Sequence, residues 1–184
     1  MNLLFSIVII ALIVILFIYI VTVNKQKTLI ADISKWHRLA LTDHLTQIPN
    51  RAAYTEHMQE LGKTVSLKNE TVALLLIDIN RFKKINDTKG HAEGDKILKR
   101  CARALERVFV NKSGNVFRIG GDEFAVIIKD MDAVWLERKI KELEQEEKEF
   151  TLSAGYAFAK NAEEFVTLFE RADSKLYECK SKGL

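Results

Sequence analysis

The 184-residue sequence has one proline, Pro49, and only two cysteines, Cys101 and Cys179. Two cysteines are too few for a disulfide framework, and without further cysteines at a ligand spacing they form no metal site. We therefore predict reduced thiols that pack within helices. The basic residues exceed the acidic ones by a net charge of +3. They form no stripe with interleaved aromatic residues, so we expect no nucleic-acid surface.

Charge is missing altogether from residues 3–23, which are almost all apolar. At about 1.5 Å per residue, this run matches the ~30 Å hydrocarbon core of a bilayer. A cleaved signal peptide is the alternative, but the run has no basic start and no small-x-small site follows Val23. Only Met1 and Asn2 precede the run, and basic residues follow it, so we predict a single pass with the C-terminal side in the cytoplasm. These basic residues are Lys25, Lys27, Lys35 and Arg38.

Residues 28–41 carry apolar side chains at steps of four, three and four residues, as expected of a helix that continues out of the membrane. The stripe consists of Leu29, Ile33, Trp36 and Ala40. Such a stripe can pair with its copy in a second chain. The alternative is an amphipathic linker that lies on its own domain or on the membrane surface, which Trp36 among basic neighbours also fits.

Two glycines followed by two acids, Gly120, Gly121, Asp122 and Glu123, separate two apolar runs that are typical of strands. The pattern predicts a tight hairpin. Glycine at both turn positions would permit positive φ and the close approach of a phosphate. The hairpin would then present acids to a metal and a polyanion. An ordinary solvated hairpin is the alternative, since glycine turns with acids are common.

A second polar cluster begins where a buried strand is predicted to end. Residues 72–77 form an unbroken apolar run that stops at Asp78. The following residues are polar, but Phe82 and Ile85 stand at a near-helical spacing. They predict a short helical turn and a loop, with a helix from about Glu93.

Together the two clusters resemble the GGDEF family of diguanylate cyclases. After the buried strand, the residues that carry this resemblance are Asp78, Phe82, Lys83, Asn86, Asp87, Gly90, His91, Gly94 and Asp95. Residues 43–51 resemble the family's opening motif, and residues 153–157 and 172–177 resemble its closing motifs. The resemblance extends from Asp43 almost to the last residue.

The resemblance implies a site for Mg²⁺ or Mn²⁺, held by Asp78, Asp122 and the backbone carbonyl of Ile79 together with phosphate oxygens. The two carboxylates come from adjoining strand and hairpin ends, so they can converge. We assign Asp122 as the base for the ribose 3′-hydroxyl and Glu123 as further support for the metal. The opposite division of roles between these two acids stays open.

The resemblance also implies the groups that bind the GTP phosphates. Lys83 and the backbone N–H groups beside it would contact them, and Lys180 matches a second phosphate-contacting lysine. Gly120 and Gly121 would let the nucleotide approach the hairpin. Leu184 stands where the family carries an arginine, so we expect a high KM for GTP.

Asn86 and Asp95 resemble the family's guanine readers, and His91 resembles a further substrate contact. A carboxylate accepts hydrogen bonds from guanine N1–H and its exocyclic amine, whereas adenine offers an acceptor at N1. This difference predicts GTP as substrate in preference to ATP. Asp87 and Asp173 are interpreted as structural caps.

A further departure from the family pattern concerns an Arg-x-x-Asp site for inhibition by product, just upstream of the hairpin. Asn111 and Gly114 occupy the matching positions. We therefore expect no feedback through that site.

The patterns predict an α+β domain in which the strands flanking the glycines are antiparallel neighbours and helices cover one or both faces of the sheet. The family resemblance implies the palm-like fold of the nucleotide cyclases, with Leu168, Phe169, Leu176 and Tyr177 in the core. The predicted strands cover 71–78, 115–119, 123–129 and 150–158. One predicted helix follows Pro49 and ends near residue 61, and three more cover 93–110, 132–148 and 161–181. The domains are a transmembrane anchor (1–24), a helical linker (25–42) and a GGDEF domain (43–184).

As a member of this family, the chain would condense two GTP into cyclic di-GMP at a homodimer interface, as a membrane-anchored enzyme. A catalytically weak, membrane-tethered GTP-binding module is the alternative. A cyclase that makes cyclic GMP from one GTP shares the fold but lacks these motifs. The identity of the reaction product would distinguish these three possible functions.

Overall fold

The computed structural model of the protein describes residues 2–68, 70–109, 114–146 and 148–182. The chain divides into two compact units, Met1–Ala40 and Leu41–Leu184. The elements in chain order are α1 (Asn2–Ala40), α2 (Arg51–Lys68), β1 (Val72–Ile79), α3 (Phe82–Lys89), α4 (His91–Phe109), β2 (Gly114–Arg118), β3 (Glu123–Lys129), α5 (Ala133–Glu146), β4 (Leu152–Ala159), α6 (Ala162–Val166) and α7 (Leu168–Lys182).

The first unit is one continuous helix, α1, of 39 residues. Most of the apolar side chains that the structure describes in this helix are exposed, and Phe17 and Trp36 have 67% and 68% of their surface accessible. The helix is long and apolar enough to cross a membrane by length and composition, with a mean hydropathy of 3.1 in its most apolar window. The predicted anchor and linker are therefore parts of a single helix.

The second unit is built on a four-stranded antiparallel sheet with the strand order β2-β3-β1-β4. All eight residues of β1 are buried because the strand lies between β3 and β4 and both of its faces are covered. Near the end of β1, Asp78 lies opposite Glu123 of β3 and Ser153 of β4. The predicted antiparallel pairing of the strands that flank the glycines is confirmed.

Alternate residues of β1 supply two separate apolar cores, one on each face of the sheet. Leu75 and Ile77 pack in a cluster with residues of α4 and α5, whereas Leu74 and Leu76 pack in a cluster with residues of α2 and α7. The period of two along a strand produces this division. The result is the palm-like α+β arrangement, with helices on both faces.

Short polar side chains fix where several helices begin. Asn50 Oδ1 accepts hydrogen bonds from the backbone of Ala52 and Ala53 at the start of α2. Asp132 and Asn161 act in the same way at α5 and α6. The predicted caps were different residues and were wrong. Asp87 and Asp173 lie within α3 and α7, where their side chains are exposed.

The C-terminal helix departs from the predicted helix 161–181 because it breaks at Thr167 into α6 and α7. Leu168, Ala172 and Leu176 form its buried stripe at four-residue steps. Phe169 and Tyr177 are each one position further along, about 100° around the helix. Their exposed fractions of 43% and 74% show that the prediction of core positions for these two residues was wrong.

The two cysteines also differ from each other. Cys101 is buried in α4 and confirms its predicted packing role, while Cys179 is exposed on α7 and contradicts it. Of the two predicted feedback positions, Gly114 begins β2 and Asn111 lies outside the described residues. Leu184, the predicted replacement for an arginine, lies outside them as well.

Candidate active site

Asp78 is a buried carboxylate at the end of the central strand, with 8% of its residue surface exposed. Its Oδ2 lies 2.6 Å from Nζ of Lys180, which projects from α7. The core packing of α7 brings these residues together although they are far apart in the sequence. A charged pair therefore stands at the edge of the sheet where we predicted a metal.

The turn between β2 and β3 lies against the same edge. The carbonyl of Asp122 accepts a hydrogen bond of 3.3 Å from the backbone N–H of Ile79. The carbonyl of Glu123 accepts hydrogen bonds from Ile119 and Gly120 at 3.0 and 3.3 Å, which closes the turn. The strand end and the hairpin are thus joined directly, as their sequence positions predicted.

The hairpin glycines do not adopt the positive φ that we predicted. Among the described residues, Gly90 is the only glycine with positive φ, so neither Gly120 nor Gly121 adopts that backbone conformation. A Cβ on Gly120 would instead overlap the carboxylate of Glu123 and lie 3.1 Å from its Cβ. Gly121 faces open space. The absence of side chains leaves room for Glu123 on one side and for a ligand on the other.

The electrostatics at Asp78 favour a bound cation. Burial raises the pKa of Asp78, the hydrogen bond and charge of Lys180 lower it, and the negative charge of Asp122 raises it again. The net direction is upward. An additional positive charge near these carboxylates would therefore stabilise their ionised forms.

The donor set fits a magnesium or manganese ion that shares its ligands with a nucleotide. Among the described residues, no three histidine, cysteine or acidic side chains form a closed metal cage. Mg²⁺ is usually held by only one or two carboxylates, with water and phosphate oxygens completing the octahedron. Asp78 and Asp122 can supply those carboxylates. The contact from Lys180 shows that Asp78 accepts a cation in this position.

Asn86, predicted to read guanine, lies on α3, which packs against α4. A glycine turn connects the two helices, in which Gly90 has φ 84° and donates its N–H to the Asn86 carbonyl at 2.9 Å. Gly94 is buried beneath Asn86, and a Cβ there would overlap the amide oxygen of Asn86. The helix pair therefore depends on a glycine at position 94.

His91 and Asp95, the other predicted contacts to the base, lie in the first turns of α4 with exposed side chains. Lys83, a predicted phosphate contact, is exposed in the first turn of α3. The helix pair thus presents these predicted substrate groups to solvent.

Arg81 is a backbone feature that the sequence did not reveal. It has a left-handed conformation with φ 57° and ψ 29°, directly before α3. This conformation costs a residue with a Cβ about 1 kcal/mol or more. The turn at Arg81 sets the direction of the chain between Asp78 and Lys83.

A second missed feature is a clamp that holds the signature hairpin, formed by Asp43 and Arg118. One guanidinium nitrogen of Arg118 donates to Asp43 Oδ1 at 2.9 Å, and two others donate to the Gly121 carbonyl at 3.2 and 2.6 Å. Burial would raise the pKa of Asp43, but hydrogen bonds from Thr46 and Arg118 outweigh it and lower the pKa. The two residues are 75 positions apart, and only their places in separate motifs hinted at a role.

Several known proteins are similar to this chain. The family profile described as "Diguanylate cyclase, GGDEF domain" matches residues 40–184. The diguanylate cyclase DgcS of Shewanella oneidensis is 34% identical over 151 residues, covering 78% of this chain and 51% of DgcS. An uncharacterized membrane protein of Staphylococcus haemolyticus, SH2145, is 36% identical over 110 residues, covering 55% of this chain and 31% of that protein.

A solved structure shares the fold. The coiled coil and GGDEF domain of DgcB from Caulobacter crescentus, in complex with c-di-GMP, superimposes with a TM-score of 0.81. Its sequence is 28% identical, and the match covers 88% of this chain and 92% of that one. The matched part spans between 22% and 52% of the length of the first five curated relatives.

Proposed function

The chain belongs to the GGDEF family of diguanylate cyclases, and from that premise we propose that it converts two GTP molecules into cyclic di-GMP and two pyrophosphates. One observation carries this proposal: the buried Asp78 and the acidic hairpin meet at one edge of the sheet beside the ammonium of Lys180. This grouping of charge is suited to a nucleoside triphosphate with its metal.

In the proposed reaction, the 3′-oxygen of each GTP attacks the α-phosphorus of the other. A new P–O bond forms at each α-phosphorus, and the bond to the β-phosphate oxygen breaks, so that two pyrophosphates leave. Asp122 accepts the proton from the 3′-hydroxyl. Two backbone contacts support this role, since the Asp122 carbonyl accepts a hydrogen bond from Ile79 and the Gly121 carbonyl accepts one from Arg118.

Asp78, Asp122, Glu123 and the Ile79 carbonyl would hold Mg²⁺ or Mn²⁺. When bound, the ion neutralises phosphate charge and favours departure of pyrophosphate. Lys83 and Lys180 add positive charge for the phosphates. Lys83 is exposed at the start of α3, and Lys180 is already at the edge of the sheet.

Asn86 and Asp95 would read the guanine base, with His91 as a further contact. Gly94 brings the amide of Asn86 close to α4, the helix that carries Asp95. A carboxylate at Asp95 matches the donors of guanine and opposes the N1 acceptor of adenine. We therefore expect GTP to be used and ATP to compete poorly.

The reaction needs two chains because one domain provides only half of the product. The exposed apolar residues of α1 support this part of the proposal, since a membrane helix and its continuing stripe can hold two copies together. The membrane-protein relatives support the anchor. We propose a single pass with the GGDEF domain in the cytoplasm, where GTP is available.

Removal of residues 1–40 tests the contribution of association. At low protein concentration we expect specific activity to fall sharply, and at high concentration to recover, because the helix raises the effective concentration. Undiminished activity of the truncated chain upon dilution would contradict this role.

Mass spectrometry of the products tests the function itself. The full chain is purified in detergent and incubated with GTP and Mg²⁺, with ATP as a competing substrate. We expect cyclic di-GMP from the native protein and none from Asp122→Ala. A dimer that binds GTP without forming this product would refute the proposed reaction.

A further inference from the structure

The contact between Lys180 and Asp78 is short and well enclosed. The Nζ–Oδ2 distance is 2.6 Å, and the two side chains have exposed fractions of 35% and 11%. Among the described residues, no other cation forms an ion pair with Asp78. The lysine therefore occupies the position beside this carboxylate.

A divalent ion and this ammonium compete for one carboxylate. Mg²⁺ binds carboxylate oxygens at about 2.1 Å, which would place it next to the Lys180 nitrogen. Two cations that contact the same carboxylate oxygen repel each other strongly, because the effective dielectric constant of a partly buried site is low. Asp78 can hold either the lysine or the metal at this oxygen.

We propose that Lys180 is an internal substitute for the metal, which neutralises Asp78 in the nucleotide-free protein and is displaced when a divalent ion binds. The displaced ammonium then becomes available to the triphosphate. This inference rests on the proposed function for the second step only. The first step concerns metal binding alone and requires no reaction.

The surrounding structure permits this exchange without movement of the helix. Leu176, one turn before Lys180, is buried, and the backbone of α7 at Ala172 and Leu176 packs directly on Gly155 of β4. The backbone of α7 is therefore held by its contacts with the sheet. The four-carbon stem of a lysine rotates freely enough to carry the charge from the carboxylate to a phosphate nearby.

Metal and nucleotide should then bind cooperatively, because both favour release of the Lys180 ammonium from Asp78. Metal entry releases an ammonium that attracts the triphosphate, and a bound triphosphate holds that ammonium away from Asp78. By linkage, each ligand raises the affinity of the other by the same factor. Loss of the lysine charge would remove this part of the coupling.

Binding of Mn²⁺ to the full chain in nanodiscs without nucleotide tests the inference, with free Mn²⁺ measured by electron paramagnetic resonance. We expect Lys180→Met to bind Mn²⁺ about tenfold more tightly than the native protein, because the competing charge is gone. Lys175→Met is the matched control. It removes the same charge from the same helix, but Nζ of Lys175 stands 5.8 Å from the centre of the Tyr156 ring. We expect no change in its Mn²⁺ affinity.

A second variant protects the test against a folding defect, which tryptophan fluorescence would reveal. Lys180→Gln can still donate a hydrogen bond to Asp78 but carries no charge, so it should also bind Mn²⁺ more tightly. Lys180→Arg keeps the charge and should bind Mn²⁺ as weakly as the native protein. If neither uncharged variant binds Mn²⁺ more tightly than the native protein, the inference is overturned.

The Mn²⁺ measurements distinguish failure of the inference about Lys180 from failure of the proposed cyclase function. Tighter Mn²⁺ binding by Lys180→Met supports the internal substitute even if no cyclic di-GMP is ever formed. Formation of cyclic di-GMP by the native protein, with equal Mn²⁺ affinities for all variants, would support the function and refute the substitute. Adding GTP should tighten Mn²⁺ binding more in the native protein than in Lys180→Met.

Discussion

The candidate site has two ends that are built in different ways. The carboxylate end consists of Asp78, Asp122, Glu123 and Lys180, and the helical end consists of Asn86, His91 and Asp95. At the carboxylate end, a buried strand, a hairpin and a C-terminal helix meet through an ion pair and backbone hydrogen bonds. At the helical end, His91 and Asp95 are exposed on a helix and Asn86 is half-buried.

The difference teaches that folding joins the groups of the carboxylate end to one another, whereas it leaves His91 and Asp95 of the helical end exposed. The groups of the carboxylate end are also part of the packed domain, so changes there should affect stability and activity together. The exposed groups of the helical end are free to bind a base or a second chain. Changes there should affect activity alone.

The largest effect is expected from Asp78→Ala at the carboxylate end. Product formation should fall by at least about 10³-fold, because the proposed metal site loses one of its carboxylates. The free energy of unfolding should rise by about 1 kcal/mol at pH 7, because the raised pKa of Asp78 means that burial of its charge costs more than the pairing with Lys180 returns. Mass spectrometry and urea unfolding followed by tryptophan fluorescence measure the two effects.

Asp78→Asn is the control for Asp78→Ala because it keeps the shape of the side chain. It should show a similar rise in the free energy of unfolding and no recovery of activity. If Asp78→Ala lost activity while its free energy of unfolding stayed at the native value, the two ends would not differ in their coupling to the stability of the domain.

Gly155→Ala is expected to produce the largest purely structural effect. The added Cβ would overlap the backbone nitrogen of Leu176 and lie 2.5 Å from the carbonyl oxygen of Ala172. Because neither backbone atom can rotate away, α7 must shift from the sheet, at a cost of about 3 kcal/mol. Urea unfolding measures this loss. Activity should fall as well, since α7 carries Lys180.

Gly121→Ala offers the matched substitution at a glycine with open space around it. Its unfolding free energy should remain close to the native value. An equal loss of stability in both variants would show that packing of α7 on β4 is not the cause.

Asp95→Asn tests the helical end. We expect kcat/KM for GTP to fall by about 10- to 100-fold, because the amide cannot accept both guanine hydrogen bonds as a carboxylate does. The side chain is exposed, so the unfolding free energy should not change. Steady-state kinetics with GTP, together with urea unfolding, measures both quantities.

Asp87→Asn makes the same change at an exposed acid of α3 and should leave kcat/KM near the native value. A substantial loss of stability in Asp95→Asn would contradict the independence of the helical end from the fold.

Asp43→Asn should have the smallest effect, about 1 kcal/mol of stability at pH 7, from weakened hydrogen bonds with Arg118 and Thr46. The pKa of Asp43 is lowered in the folded protein. Its stabilisation is therefore present above its unfolded pKa of 3.8 and is lost as the pH falls through the lower folded value. The difference in the free energy of unfolding between the native protein and Asp43→Asn should therefore shrink in that pH range.

Urea unfolding at a series of pH values measures this dependence, with Asp173→Asn as an exposed control. A stability difference that stays constant from neutral pH to well below 3.8 would contradict the role of the Asp43 carboxylate.

Local sequence patterns predicted the elements of the fold well. The apolar run before Asp78 became the buried central strand, and the two glycines became the turn between antiparallel strands. The strand at Glu123–Lys129 begins and ends at the predicted residues. These predictions succeeded because hydrophobic periodicity and turn residues act over a few neighbouring positions.

Predictions failed where a single helical position or a distant partner decided the outcome. Phe169 and Tyr177 lie beside the buried stripe of α7, and a shift of one position turns a side chain by about 100°. The predicted helix caps were also wrong, because Asp87 and Asp173 lie within α3 and α7 and not before their first residues.

The sequence by itself determined the family, the apolar N-terminal helix, the strand that ends at Asp78 and the acidic hairpin, because each is encoded in contiguous residues. Only the tertiary structure decided that Lys180 contacts Asp78 and that Arg118 joins Asp43 to the Gly121 carbonyl. These contacts join residues that are distant along the chain. Their formation depends on how the helices pack against both faces of the sheet, which no local pattern specifies.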